Sequence, residues 1–409
     1  MVNRMKRVVV TGLGCISPVG NNVNDMWESI THGINGIDYI KNFDTTDFAI
    51  KLAAEVKNLN MEEYISKRDI KFSSKFINYA RIAAKEAYMN SGLYNADIDS
   101  DRFGVYISSG IGGIEKIEEA ISNDTMSPYF IPSSLINLAS SQVAIDLGAR
   151  GSNIVISSAC ASGTNAIGEA YLKIKYGYED VIIAGASEAS ITKKTIEGFS
   201  IMRALYNGDD VNRASIPFDE ERKGFVIGEG AALLVLEELE HALARNAKIY
   251  AEIVGYGTSC DAFHLTTPND EGLYSAKAME KAIESADINA SDIDYINAHG
   301  TGTKLNDYTE TLAIKNVFKE DYLKPYVSST KSMTGHLMAA AGALEAVISV
   351  KSLENNFVPA TINITNLDSK CDLNLVLNKG KKRELNYVLS NSFGFGGHNA
   401  SLVFKKWEK

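Results

Sequence analysis

Short β-branched runs alternate with amphipathic helical stretches along the whole chain. That alternation limits the fold more than any other feature. Strands are predicted at 7–11, 104–107, 154–157, 181–184, 231–236, 249–256, 295–298, 326–329, 387–390 and 400–404. Helices are predicted at 23–31, 75–91, 164–176, 195–202, 273–285, 307–318 and 337–353. Strands interleaved with helices imply an α/β fold with a mostly parallel sheet covered on both faces. No Pro/Ser-rich or low-complexity linker divides the 409 residues into independent domains, so one large unit built from two halves is expected.

One strand–helix joint repeats. Ile156-Ser157-Ser158-Ala159-Cys160 ends a predicted strand, and Val327-Ser328-Ser329-Thr330-Lys331 ends another. A helix rich in small residues follows each. A duplicated α/β unit would leave this echo, and so would a chance likeness between two unrelated joints.

Charge and cysteine usage narrow the function classes. Lys plus Arg number 41 against 51 Asp plus Glu, a net charge of −10, which argues against a nucleic-acid partner. No apolar stretch reaches the length of about 18 residues that spans a bilayer. The start, MVNRMKRVVVTGLG, turns straight into a strand-like run and lacks the apolar core of a signal peptide. A cytoplasmic protein without a membrane partner is expected. Cys15, Cys160, Cys260 and Cys371 form no C-x-x-C pair, so neither a metal site nor a disulfide framework is expected.

Cys160 sits in SSACASGTNAIGEA, between a buried-looking strand and a helix. A helix N-terminus offers unpaired N–H groups and partial positive charge, so a thiolate nucleophile is predicted there. The other three cysteines read as inert packing residues. His299 (in NAHGTGT) and His336 (in STKSMTGHLM) follow strand ends among Gly, Ser and Thr, where backbone can pack close to a ligand. Two neutral imidazoles near one sulfur could donate hydrogen bonds to a developing oxyanion or enolate. His32 and His241 read as surface residues. Glu345 lies in an Ala/Gly/Leu run, where an unpaired carboxylate is costly, so a pairing with Lys331 is predicted. The glycines of SNSFGFGGHN permit a mobile loop that carries Phe393 and Phe395; the alternative is a plain hairpin with core aromatics. Gly12-x-Gly14 lacks the third glycine of a dinucleotide fingerprint, since Ser17 stands there.

Together these residues resemble the β-ketoacyl-[acyl-carrier-protein] synthases of the elongating, two-histidine class. RVVVTGLGCISPVGN, SSGIGG, SSACASGTNAIGEA, PFDEERKGFVIGEGA, AEIVGYG, NAHGTGT, VSSTKSMTGH and NSFGFGGHN follow the family's order from about residue 6 to the end. The resemblance implies the thiolase fold: two duplicated halves, 1–250 with the cysteine and 251–409 with the histidines, forming a five-layered α/β/α/β/α core, usually as a homodimer. It implies that Cys160 takes the acyl chain from acyl carrier protein as a thioester. His299 and His336 would then promote decarboxylation of the malonyl thioester. Lys331 and Glu345 match the supporting pair, and Phe395 the gate whose N–H joins that of Cys160 in an oxyanion hole, with Phe393 beside it. Thr301 and Thr303 match the residues that hold the carrier's phosphopantetheine arm, and Ile111 and Phe199 match acyl-pocket positions. Lys67, Arg68, Lys71 and Arg203 match carrier-docking positions. No cofactor beyond the carrier's own arm is implied.

The chain departs from the family pattern in places. Lys304 stands where the family has proline after HGTST, and Ile216 where it has arginine before Pro-Phe-Asp. Residues 122–127, often basic in the family, carry no cation. This thinning leaves a second expectation open, a ketosynthase of a type II polyketide or polyene pathway with a dedicated carrier.

Overall fold

In the computed structural model, which describes residues 5–269 and 271–408, nine strands hydrogen-bond into one sheet. In chain order the elements that position the site are β1 (Val8–Ile16), α1 (Lys75–Ser91), β2 (Phe103–Ser108), α2 (Ser162–Lys175), β3 (Val181–Glu188), β4 (Gly230–Glu238), β5 (Ala251–Cys260), α3 (Leu273–Ser285), β6 (Tyr295–Asn297), α4 (Lys304–Phe318), β7 (Tyr326–Ser328), α5 (Ala341–Asn355), β8 (Tyr387–Gly394) and β9 (His398–Lys406). The strand order is β2-β3-β4-β1-β5-β9-β8-β6-β7.

The two arms of this sheet repeat one topology. In each, the first strand lies innermost and the last lies beside it. They meet only where Val8–Val10 of β1 pair with Ala251–Ile253 of β5. Helices α2 and α5 pack on each other and on strands of both arms, so the sheet folds around them. Helix α1 covers the outer face of β1, β3 and β4, while α3 covers β5 and β9, with α4 packed against α3. The result is five layers, α/β/α/β/α, the architecture expected of the thiolase fold.

The central layer follows from composition. Nearly every residue of α5 from Ala341 to Leu353 is buried, as expected for a helix without a polar face. A Cβ on Gly342 would stand 2.1 Å from Thr164 Oγ1 and 2.4 Å from Ser392 Oγ. Only glycine lets α5, α2 and β8 approach this closely.

Two expectations are corrected. The sheet is not mostly parallel: β2–β3, β6–β8 and β6–β7 are parallel, and the other five pairings are antiparallel. Helical crossovers keep strands parallel, but β8–β9 is a hairpin and the long excursion between β3 and β4 reverses the chain. Residues 154–157 do not form a strand. Around Val105 of β2 they make one isolated bridge, from Asn153. Ser152 accepts from Val105 at 3.0 Å and Ile154 donates to it at 3.3 Å. The outer edge of 153–157 has no backbone partner among the described residues. Its counterpart β7 is flanked by Leu375, which bridges Val327.

Candidate active site

Cys160 lies on a bent joint. Ala159 before it holds φ at +51°, a left-handed conformation that costs a non-glycine residue about 1 kcal/mol or more. Local bonds fix the bend: Ser162 Oγ accepts from the Ser158 N–H at 2.9 Å and donates to the Ala159 carbonyl at 2.6 Å. Asn165 Nδ2 donates to Ser158 Oγ at 2.6 Å, and Tyr256 donates to Asn165 Oδ1 at 2.9 Å. Gly394 closes over the joint; a Cβ there would stand 2.7 Å from the Ser158 carbonyl and 3.1 Å from the Cys160 nitrogen.

The two histidines converge on this sulfur from the other arm. His336 Nε2 lies 3.1 Å from Cys160 Sγ. The His299 and His336 rings meet edge to face, with centroids 5.4 Å apart. The His336 N–H donates to the Val226 carbonyl at 2.7 Å and its carbonyl accepts from Gly228 at 2.8 Å. His299 is held by a residue that the sequence reading missed. Glu310, on α4, accepts from the N–H groups of His299 at 2.8 Å and Gly300 at 2.7 Å, and from Asn391 Nδ2 at 3.2 Å. The signal was an acid amid the buried positions of α4, eleven residues past the histidine. Phe393 packs on His299, and Phe225 on His336.

Lys331 and Glu345 pair as predicted, both wholly buried behind the histidines. Lys331 occupies in the second arm the place that Cys160 holds in the first, so the repeated joint reflects the repeated topology. Burial raises the Glu345 carboxyl to about 7, against the pull of the Lys331 ammonium. Burial, and then the charge of Lys331, hold both imidazoles well below their ordinary value, so both are neutral near pH 7.

The expected ready-made thiolate is corrected. Burial raises the Cys160 thiol to about 11, more than offsetting Lys331 and the N–H groups of Phe395 and Cys160. The helix end is real, but desolvation outweighs it.

A cleft of about 390 Å³ leads to the sulfur. Cys160, His299, His336, Thr301, Thr303, Phe199, Phe393, Phe395 and Arg203 all line it. Thr266, Thr267, Met338 and Phe225 line it as well, with no spacing in the sequence to announce them. Ile111 does not line it: it lies on the loop after β2, where Glu188 accepts from the Gly110 N–H at 2.8 Å. Lys67, Arg68 and Lys71 are exposed on the helix Lys67–Phe72, outside the cleft lining. The aromatic tail is a hairpin, as in the second reading, but Phe393 and Phe395 line the cleft instead of filling a core. Cys15 and Cys371 are buried, but Cys260 is exposed, contrary to expectation. His241 is no simple surface residue; its Nδ1 lies 2.6 Å from buried Glu237. No group of three or more His, Cys, Asp or Glu could hold a metal among the described residues.

Comparison with known proteins agrees with this geometry. Residues 5–242 match the family described as beta-ketoacyl synthase, N-terminal domain, and residues 250–365 match its C-terminal domain. The chain belongs to the β-ketoacyl synthase family. The 3-oxoacyl-[acyl-carrier-protein] synthase 2 of Staphylococcus aureus strain N315 is 48% identical over 413 aligned positions, covering all of both chains. The enzyme of the same name from a Synechocystis strain is 43% identical, over 98% of this chain and 99% of its own. Among solved structures, a β-ketoacyl synthase from Burkholderia phymatum superposes with a TM-score of 0.90 at 33% identity, over 99% of this chain and all of that one. A ketosynthase solved with its type II PKS acyl-carrier protein superposes at 0.92 with 35% identity, over the same shares. In this synthase, as described, no helix is long and apolar enough to cross a membrane.

Proposed function

We propose that this synthase elongates acyl chains by decarboxylative Claisen condensation on acyl carrier protein. The observation that carries the reading is the convergence of Cys160 Sγ, His336 Nε2 at 3.1 Å and the His299 ring in one cleft. In the first half-reaction Sγ attacks the acyl-carrier thioester, the carbon–sulfur bond to the arm breaks, and the thiol proton leaves with the carrier's sulfur. In the second, malonyl-carrier loses CO2 and its bonding electrons pass to an enolate. Hydrogen bonds from the neutral His299 and His336 stabilise the enolate oxygen. The carbanion attacks the acyl-Cys160 carbonyl, the N–H groups of Cys160 and Phe395 hold the oxyanion, and 3-oxoacyl-carrier protein departs as Sγ regains a proton.

Thr301 and Thr303, paired at 3.0 Å, hold the amides of the arm in this reading. Phe199 borders the acyl chain, and Phe393 and Phe395 gate it. Lys331 is a positioning residue that keeps the imidazoles neutral, and Glu345 balances its charge. Lys67, Arg68 and Lys71 meet an acidic carrier surface, and Arg203 meets the carrier's arm at the mouth of the cleft. The halves divide at 1–250 and 251–409, between β4 and β5, and the enzyme works in the cytoplasm with no resident cofactor.

The bare edge at 153–157 supports a homodimer. A segment with unpaired outward backbone groups beside the nucleophile is a template for a second chain, and the equivalent edge in the other arm is already covered.

The test is condensation with malonyl-carrier and a series of acyl-carriers, read by mass spectrometry. Elongation of medium and long chains with a fatty acid carrier is the expected result. A second reading, a ketosynthase of a polyketide or polyene pathway, draws on the 0.92 superposition with a type II PKS ketosynthase. Condensation only with a dedicated carrier would favour it. Intact Cys160 acylation with no condensation on any carrier would sink both.

A further inference from the structure

The mouth of the cleft carries two cations that the chemistry at Cys160 does not use. Lys304 and Arg203 both line it, and both are exposed. The one carboxylate in the described lining, Asp261, is already engaged, by the N–H of Asn269 at 3.0 Å and by Asn399 Nδ2 at 2.7 Å. Neither cation has a carboxylate within 4.0 Å among the described residues. Asp368, whose carboxyl feels the charge of Lys304, is bound to Arg222 at 2.7 Å.

The backbone beneath both cations is held in place. Lys304 Nζ donates to the Glu220 carbonyl, a neutral partner that leaves its charge uncompensated. The wholly buried Arg222 donates from Nη2 to the Lys304 carbonyl at 3.0 Å and from Nε to the Thr303 carbonyl at 3.1 Å. Arg203 follows the helix Lys193–Ile201 with φ at +55°, and its N–H donates to the Ser200 carbonyl at 2.9 Å.

We propose that Lys304, together with Arg203, binds the phosphodiester of the carrier's phosphopantetheine arm. This rests on the carrier-borne substrate of the reading above. An arm that enters thioester first leaves its phosphate where the cleft meets solvent. A phosphodiester carries one negative charge, and an ammonium and a guanidinium are its natural partners. The chain also supplies a clean control. Lys304 is the first residue of α4 after the Thr303 cap. The N–H at that position has no intrahelical partner, which is why proline is tolerated there. Lys304→Pro therefore removes the charge and leaves the helix bonds intact.

The experiment times acylation of Cys160 by mass spectrometry with three hexanoyl thioesters: of pantetheine, of phosphopantetheine and of carrier protein. The wild-type enzyme is expected to favour phosphopantetheine over pantetheine by about tenfold in KM, the size of one charge-assisted hydrogen bond. Lys304→Pro and Lys304→Gln should lose most of that preference while kcat stays close to wild type, and Lys304→Arg should keep it. Equal KM values for the two free thioesters, or a preference that Lys304→Pro leaves intact, would overturn the assignment. A loss confined to the carrier-borne thioester would also overturn it, by placing Lys304 against the carrier's surface. Wild-type enzyme inert to all three would defeat the carrier-substrate reading itself, an outcome distinct from the others.

Discussion

Cys160 stands under opposing influences, and their balance sets its chemistry. Burial favours the thiol; Lys331 and two N–H groups favour the thiolate; burial wins. The sulfur therefore rests as a thiol, with His336 Nε2 at 3.1 Å. Cys160→Ala should abolish acyl transfer, whereas Cys160→Gln should still release CO2 from malonyl-carrier, because both imidazoles remain. Trapping of released CO2 checks this, and no release from Cys160→Gln would detach the histidines from decarboxylation. Lys331 lowers the thiol and both imidazoles at once. Lys331→Ala should thus shift the pH profile of Cys160 alkylation upward. It should also cost about 3–5 kcal/mol in urea unfolding, because Glu345 is left buried without its partner. The double change Lys331→Met with Glu345→Leu should cost much less. An unmoved alkylation profile would leave the pair a purely structural role.

At the scale of elements, close approach decides most. The start of α5 reaches α2 and β8 only through Gly342. Gly342→Ala should destabilise by about 1–3 kcal/mol through overpacking, measured by urea unfolding. Gly394→Ala should instead lower kcat, because the added methyl presses on the Cys160 nitrogen. A second tie joins the loop 213–221 to the segment 365–366. Burial acts to raise the Asp219 carboxyl, but Arg213 at 2.8 Å and the N–H groups of Glu221, Thr365 and Asn366 bring it down from 3.8 to about 2. A depressed carboxyl stabilises the fold fully above its unfolded value, and the contribution fades as pH falls from about 4 towards 2. Asp219→Asn should therefore lower stability at pH 7 and flatten the acid limb of the stability curve between those values. Acid titration of the unfolding midpoint reads this directly.

At the scale of the whole molecule, the duplication leaves the two arms unequal. Leu375 covers β7, and nothing in the described chain covers 153–157. Ile154 and Ile156 turn their N–H groups inward, to the Val105 carbonyl and Ser108 Oγ. The N–H of Val155 therefore faces outward. Val155→Pro should leave the fold intact and convert a homodimer to monomer, as read by light scattering. A dimer that survives this change would place the interface elsewhere. A dimer formed on this edge would also bear on catalysis, since the edge runs straight into Cys160.

Periodicity located nine of the ten predicted strands, though not their ends, and placed two helices, 75–91 and 273–285, to the residue, because core-facing side chains impose their spacing on the local sequence. The cysteine, the two histidines, Lys331 and Glu345 were legible for a similar reason: reactive or charged residues stand out among Gly, Ser and Ala. Strand direction was not legible, because it depends on where a chain returns and not on what it contains. The state of Cys160 was not legible either, since desolvation is set by neighbours far apart in sequence. Glu310, Phe225 and Met338 reach the site by packing alone. The sequence by itself determined the alternating elements, the repeated joint and the reactive side chains, all of which are short-range properties. Only the tertiary structure decided that the repeated joint is a repeat of topology, that the charge of Lys331 reaches four titrating groups, and that Lys304 and Arg203 share one cleft mouth, because distance and burial exist only once the two arms close on each other.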